Sequence, residues 1–135
     1  MRNLSVIAAK ERIDDVLSIV AEEIEEHECK RKAVLQVNMA VEEIFLNICS
    51  YAYGEKKGDV ELSVDMDDDG ILTMVFIDGG IPFNPLEKED PDIHIPIRER
   101  LPGGLGIFMV KKTMDELQYE YLSNKNILTV KKSMR

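Results

Sequence analysis

Cysteine is scarce in this chain, with two in 135 residues. Cys29 and Cys49 form no metal-ligand spacing. Cys49 lies in an apolar helical pattern, where a free thiol behaves as a small hydrophobe, and the expected setting is a reducing cytoplasm. Long apolar runs are also missing, well short of the ~20 residues that cross a bilayer, so no membrane span is expected. The first residues are one arginine, a short apolar stretch and then charges. They lack the apolar segment of a signal peptide and read as an edge strand followed by a helix. Basic residues are in the minority, 17 against 26 acidic, for a net charge of −9. Such a surface repels phosphate backbones and argues against direct contact with nucleic acid.

Apolar residues make up 44% of the sequence and recur along most of it, which excludes a disordered chain. The length suits one domain with a sizeable core and no need of disulfides. The pattern predicts a strand over residues 4–9. Ile13, Leu17, Val20 and Ile24 follow with helical spacing. A second helix is predicted over 30–53, with Val34, Val37, Val41, Ile44 and Ile48 on one stripe. A polar turn between Gly54 and Gly58 ends it. Val60, Leu62, Val64 and Met66 then alternate with polar residues, and after Asp67-Asp68-Asp69-Gly70 comes an apolar run over 71–77. This pair reads as a β-hairpin. Residues 84–102 hold four prolines and many charges without periodicity, a length of loop that is usually functional or disordered. A helix is predicted over 107–117, and strands over 119–122 and 127–130 form a second hairpin around Ser123-Asn124-Lys125. The predicted fold is an α+β two-layer sandwich. It has a mixed, largely antiparallel sheet covered on one face by three helices.

Three short segments carry chemistry. Glu43 and Asn47 are four residues apart, so their side chains share one helical face and flank the apolar stripe. An amide oxygen suits a hard ion such as Mg²⁺, and a neighbouring carboxylate can take a proton from an attacking hydroxyl or water. Asp78-Gly79-Gly80 ends an apolar strand. Its carboxylate can accept a hydrogen bond from an exocyclic amine such as that of adenine, and a glycine lets a planar base approach the backbone. Gly103-Gly104-Leu105-Gly106 opens a helix whose free amides and positive dipole end suit phosphate. It is neither a P-loop nor a dinucleotide fingerprint, lacking the Lys-Ser/Thr and the third glycine. Each segment has a plain structural reading as helix surface, turn or hinge. Their joint presence in one short domain favours a magnesium-nucleotide site.

On the stretches AVEEIFLNICSYAY, IDGGIPFNP and GGLGIFMVKKTMDEL the chain resembles the GHKL (Bergerat-fold) ATPases. Within them it is similar to the anti-sigma-factor serine/threonine kinases of bacterial partner-switching systems. The resemblance covers nearly the whole chain and implies a single histidine kinase-like ATPase domain over 1–135. It implies ATP and Mg²⁺ as cofactors, Glu43 as general base and Asn47 as magnesium ligand. It also implies Asp78 as the adenine-reading carboxylate with Gly80 beside the base, and Gly103, Gly104, Leu105 and Gly106 around the phosphates. Residues 84–102 would form the lid over ATP. The sequence departs from that pattern in three places. Pro102 stands where relatives commonly have an arginine, leaving Arg100 as the nearest candidate with Arg98 behind it. Tyr51 stands where many have a histidine. Asn126-Ile127-Leu128-Thr129 stands where adjacent threonines often lie near adenine.

The leading expectation is a cytoplasmic ATP-dependent protein kinase that phosphorylates a serine on a small STAS-type anti-sigma factor antagonist. Release of that antagonist would free it to hold a sigma factor, and a homodimer is a further expectation from the resemblance. The alternative is a non-catalytic, ATP-responsive anti-sigma or adaptor module. A histidine kinase catalytic domain fits less well, because neither His27 nor His94 sits in a dimerisation and phosphoacceptor helix pair.

Overall fold

The computed structural model describes residues 1–87 and 104–135. Strand β1 (Arg2–Ile7) leads through a short 3₁₀ turn into helix α1 (Ile13–Glu25), and helix α2 (Arg31–Tyr51) follows. Strands β2 (Asp59–Met66) and β3 (Ile71–Asp78) form the first hairpin. Helix α3 (Gly104–Thr113) precedes strands β4 (Glu116–Leu122) and β5 (Lys125–Ser133). The five strands make one sheet in the order β1-β2-β3-β5-β4. Each of its four pairings is antiparallel.

The period-2 alternation of β2 and β3 sends Val60, Leu62, Val64, Met66, Leu72, Met74 and Phe76 to one face, where all are buried. Helices α1 and α2 cover that face with Val16, Ile19, Val20, Val37, Val41, Ile44 and Phe45; α3 adds Val110, and Met114 just beyond it joins the same core. The α+β sandwich expected from the sequence is therefore present, with its sheet antiparallel throughout the described residues. By length and composition α2 is apolar enough to cross a membrane, with a mean hydropathy of 1.2. It serves here as a core helix lying against the sheet.

Several element bounds differ from expectation: β1 begins at Arg2, α2 ends at Tyr51, α3 begins at Gly104, β4 begins at Glu116 and β5 spans Lys125–Ser133. β1 stops at Ile7 rather than residue 9: the Ala8 N–H still donates to the Gly58 carbonyl at 2.8 Å in register with the ladder, but the Ala9 N–H turns back to the Ile7 carbonyl at 2.8 Å. α3 stops at Thr113 rather than residue 117. There the Asp115 N–H donates to the Lys131 carbonyl at 2.9 Å, while the Asp115 carboxylate accepts from the Ser133 N–H at 2.6 Å. Leu117 suits either period, and pairing with β5 places it in β4.

Both hairpin turns follow from local chemistry. Asp67 Oδ1 accepts from the N–H groups of Asp69 and Ile71, each at 2.9 Å, and Gly70 supplies φ +81°. The second turn puts Ser123 at φ +53° and Asn124 at φ +62°, the left-handed pair that a two-residue type I′ turn requires. One buried carboxylate sits at the sheet edge. Glu23 is 5% exposed, and its Oε2 lies 3.2 Å from Arg2 Nε while its Oε1 accepts from the Met66 N–H at 3.3 Å.

Candidate functional site

Alternation along β3 determines where Asp78 points. It is the last residue of the strand and shares the inward face with Leu72, Met74 and Phe76, so its carboxylate is 6% exposed beneath the helices. Oδ1 accepts from the Gly80 N–H and from Asn126 Nδ2, each at 2.9 Å. Among the described residues Oδ2 has no hydrogen bond. Asp78 lines a cleft of about 450 Å³, open mouth included, with Ile44, Asn47, Phe76, Ile107 and Leu128 among its walls. Such a surface, apolar with a few convergent polar groups, is the usual make-up of a small-molecule site. Phe83 and Pro85 also line it.

The turn after Asp78 is held against the end of α2. The Ile81 N–H donates to the Ala52 carbonyl at 2.8 Å. A Cβ on Gly80 would lie 2.1 Å from that same oxygen. The glycine is thus demanded by packing on Ala52, and Gly80 is not among the residues lining the cleft. Tyr53 completes the lock: its hydroxyl accepts from the Gly79 N–H at 2.7 Å and donates to the Asp59 carbonyl at 2.6 Å. Burial pushes the Tyr53 phenol above its ordinary value, which keeps it a donor.

Glu43 and Asn47 lie one turn apart on α2, as their spacing predicts. Asn47 Nδ2 donates at 2.8 Å to both the Glu43 carbonyl and Glu43 Oε1. Both partners can only accept, so chemistry fixes which end of the amide is nitrogen. Asn47 is buried and lines the cleft together with Asp78. The first turn of α3 reaches the same place. A Cβ on Gly106 would lie 2.1–2.3 Å from the Glu43 carboxyl atoms, so a larger residue there would have to push the Glu43 side chain aside. Glu43, Asn47, Asp78 and Gly106 are therefore gathered at one end of the sheet. Gly104 and Leu105 begin α3, while Gly103, Arg98, Arg100 and most of 84–102 lie outside the described residues.

The model of the histidine kinase-like ATPase domain matches residues 6–132. The chain belongs to this family. Among curated proteins it is similar to the serine-protein kinase RsbW of Bacillus mycoides and of Bacillus cereus. Each is 28% identical over 99 residues, which is 70% of this chain and 61% of the relative. The match thus spans less than two thirds of those relatives. Among solved structures, the RsbU and RsbW domains of a Mycobacterium tuberculosis protein superpose with a TM-score of 0.66 at 14% identity, covering 99% of this chain and 33% of that one. The mycobacterial sensor histidine kinase MprB gives 0.56 at 18% identity, with 99% of each chain covered. At these identities the structures share the fold.

Sequence reasoning noted residues 126–129 only as a departure from the threonines that lie near adenine in relatives, and gave neither Asn126 nor Tyr119 a role beside Asp78. The Asn126 side chain is 5% exposed, accepts from the Tyr119 hydroxyl and the Phe83 N–H (3.0 Å), and donates to Asp78 and to the Ile81 carbonyl (2.8 Å). The available signal was an amide, a poor strand former, directly before the Ile127-Leu128-Thr129-Val130 run.

Proposed function

We propose that this chain binds ATP with Mg²⁺ in the cleft between Asn47 and Asp78 and transfers the terminal phosphoryl group to a protein serine. The observation that carries the reading is that Asp78 and Asn47 line one apolar cleft, with Glu43 hydrogen-bonded to Asn47 and lying against Gly106, within a fold of the histidine kinase-like ATPase family. Asp78 Oδ2 would accept from the exocyclic amine of adenine, while Ile44, Phe76, Ile107 and Leu128 cover the ring. Gly104, Leu105 and Gly106 at the start of α3, with Gly103 before them in the chain, would meet the phosphates with backbone amides, and Arg100 would add positive charge.

The donor set fits a hard cation. Asn47 turns its amide nitrogen to Glu43, which directs the oxygen, a ligand type Mg²⁺ accepts, away from that carboxylate. When bound, the ion would offset charge on the phosphoryl oxygens. Glu43 would take the proton of the acceptor hydroxyl as its oxygen bonds to the γ-phosphorus and the bond from that phosphorus to the bridging oxygen breaks, releasing ADP. Its hydrogen bond from Asn47 and the abutting Gly106 hold the carboxylate in one orientation.

The acceptor we propose is a small STAS-type antagonist protein, with a sigma factor as the alternating partner and the cytoplasm as the setting. The named serine-protein kinase relatives support this choice. The test is transfer from labelled ATP to candidate antagonists by the wild type and by Glu43→Ala. The reading expects label on the antagonist with wild type only, while both proteins bind ATP equally. Equal transfer by the two would remove Glu43 as the base. Binding without transfer to any candidate would favour an ATP-responsive binding module instead.

A further inference from the structure

We propose that Asn126 is the residue that makes the site selective for adenine, acting by positioning Asp78. This rests on the reading of the cleft as an ATP site and adds to it a second determinant of which base is accepted.

β3 and β5 pair so that Asn126 lies directly across from Asp78. The four hydrogen-bonding positions of the Asn126 amide are all taken. Nδ2 donates to Asp78 Oδ1 at 2.9 Å and to the Ile81 carbonyl at 2.8 Å. Oδ1 accepts from the Phe83 N–H at 3.0 Å and from the Tyr119 hydroxyl. An amide has two donor and two acceptor positions, so this arrangement admits one orientation only. The hydroxyl of Tyr119 serves as a dependable donor, since burial raises its ionisation above the ordinary phenol range.

The consequence falls on Asp78. With Asn126 and the Gly80 N–H both on Oδ1, the plane of the carboxylate is fixed and Oδ2 is the atom left for a ligand in the cleft. Buried polar partners of this kind discriminate strongly, because a ligand lacking the matching group leaves a desolvated oxygen without a donor. Threonine could supply one donor where Asn126 supplies two, aspartate could supply no donor when ionised, and leucine neither donor nor acceptor. The same amide also holds Ile81 and Phe83, so the base-reading carboxylate and the wall of the cleft are set by one side chain.

The test compares ATP with the triphosphate of purine riboside, which lacks the 6-amino group, by direct binding to the wild type, Asn126→Ala and Tyr119→Phe. Wild type should prefer ATP by roughly 10- to 100-fold, the range for a hydrogen bond to a charged group. Asn126→Ala should reduce that preference to about threefold or less, chiefly by weakening ATP. Tyr119→Phe should fall between the two. A purely structural role would weaken both ligands in proportion and leave the ratio intact, which would overturn the proposal. Should Asn126→Ala fold poorly, an unchanged ratio in Tyr119→Phe overturns it equally. Failure of wild type to bind either triphosphate would instead refute the ATP site itself.

Discussion

At the scale of single residues, the site depends on atoms that are absent as much as on those present. Gly79 and Gly80 look equivalent in the sequence, yet their surroundings differ. A Cβ on Gly79 would meet only the Tyr53 hydroxyl at 3.6 Å, an ordinary contact, whereas on Gly80 it would strike the Ala52 backbone. Gly80→Ala should therefore destabilise the fold by about 2 kcal/mol or more, and Gly79→Ala by less than about 1 kcal/mol. Denaturant midpoints of the two variants measure the difference. The thiols give a second check. Burial pushes both Cys29 and Cys49 above the ordinary thiol range, so at pH 8 each should be alkylated more slowly than a free cysteine. Glu43, Asn47 and Asp78 were legible in the sequence because each is defined by spacing along its own element. Asn126 was not, since its partner Asp78 is 48 positions away and no local rule reports such a pair.

At the scale of elements, periodicity was a dependable guide wherever the two periods give different answers. β2 alternates strictly and α2 keeps its apolar stripe, and both formed as their patterns predict. The end of α3 was illegible for the opposite reason, because Val110, Met114 and Leu117 fit a helix while Leu117 and Tyr119 fit a strand. Capture of Asp115 by β5 decided the matter, and that contact spans distant sequence. The hairpin between β4 and β5 carries a testable imperfection. Its two left-handed positions hold Ser123 and Asn124, where Asn-Gly is the favoured pair. The double change Ser123→Asn with Asn124→Gly should raise stability by about 0.5–1 kcal/mol, read from the midpoint of chemical denaturation.

At the scale of the whole molecule, an antiparallel sheet with helices on one face buries the carboxylate of Asp78 at the end of a central strand and brings α2 and α3 over it. Charge ties the outer parts of the fold to this core. Removing Arg2 would leave the buried Glu23 carboxylate with only the Met66 N–H and the His27 ring, 3.9 Å away, beside it, and Arg2→Ala should cost about 2–3 kcal/mol, a loss measurable by thermal unfolding. High pH acts through Tyr53 and Tyr119, whose phenols burial raises above the value they have in the unfolded chain. The unfolded chain therefore releases those protons first. The stability they contribute is complete below about pH 10 and is lost as pH rises through their folded values, so denaturation midpoints should decline there and decline less in Tyr53→Phe. The most direct test of one adenine-nucleotide site is calorimetric titration of ATP with Mg²⁺ into wild type and Asp78→Asn. Saturable binding to wild type, weakened at least ~10-fold in a folded Asp78→Asn, is the predicted result. Equal affinity in the two proteins, or no binding to either, would contradict it.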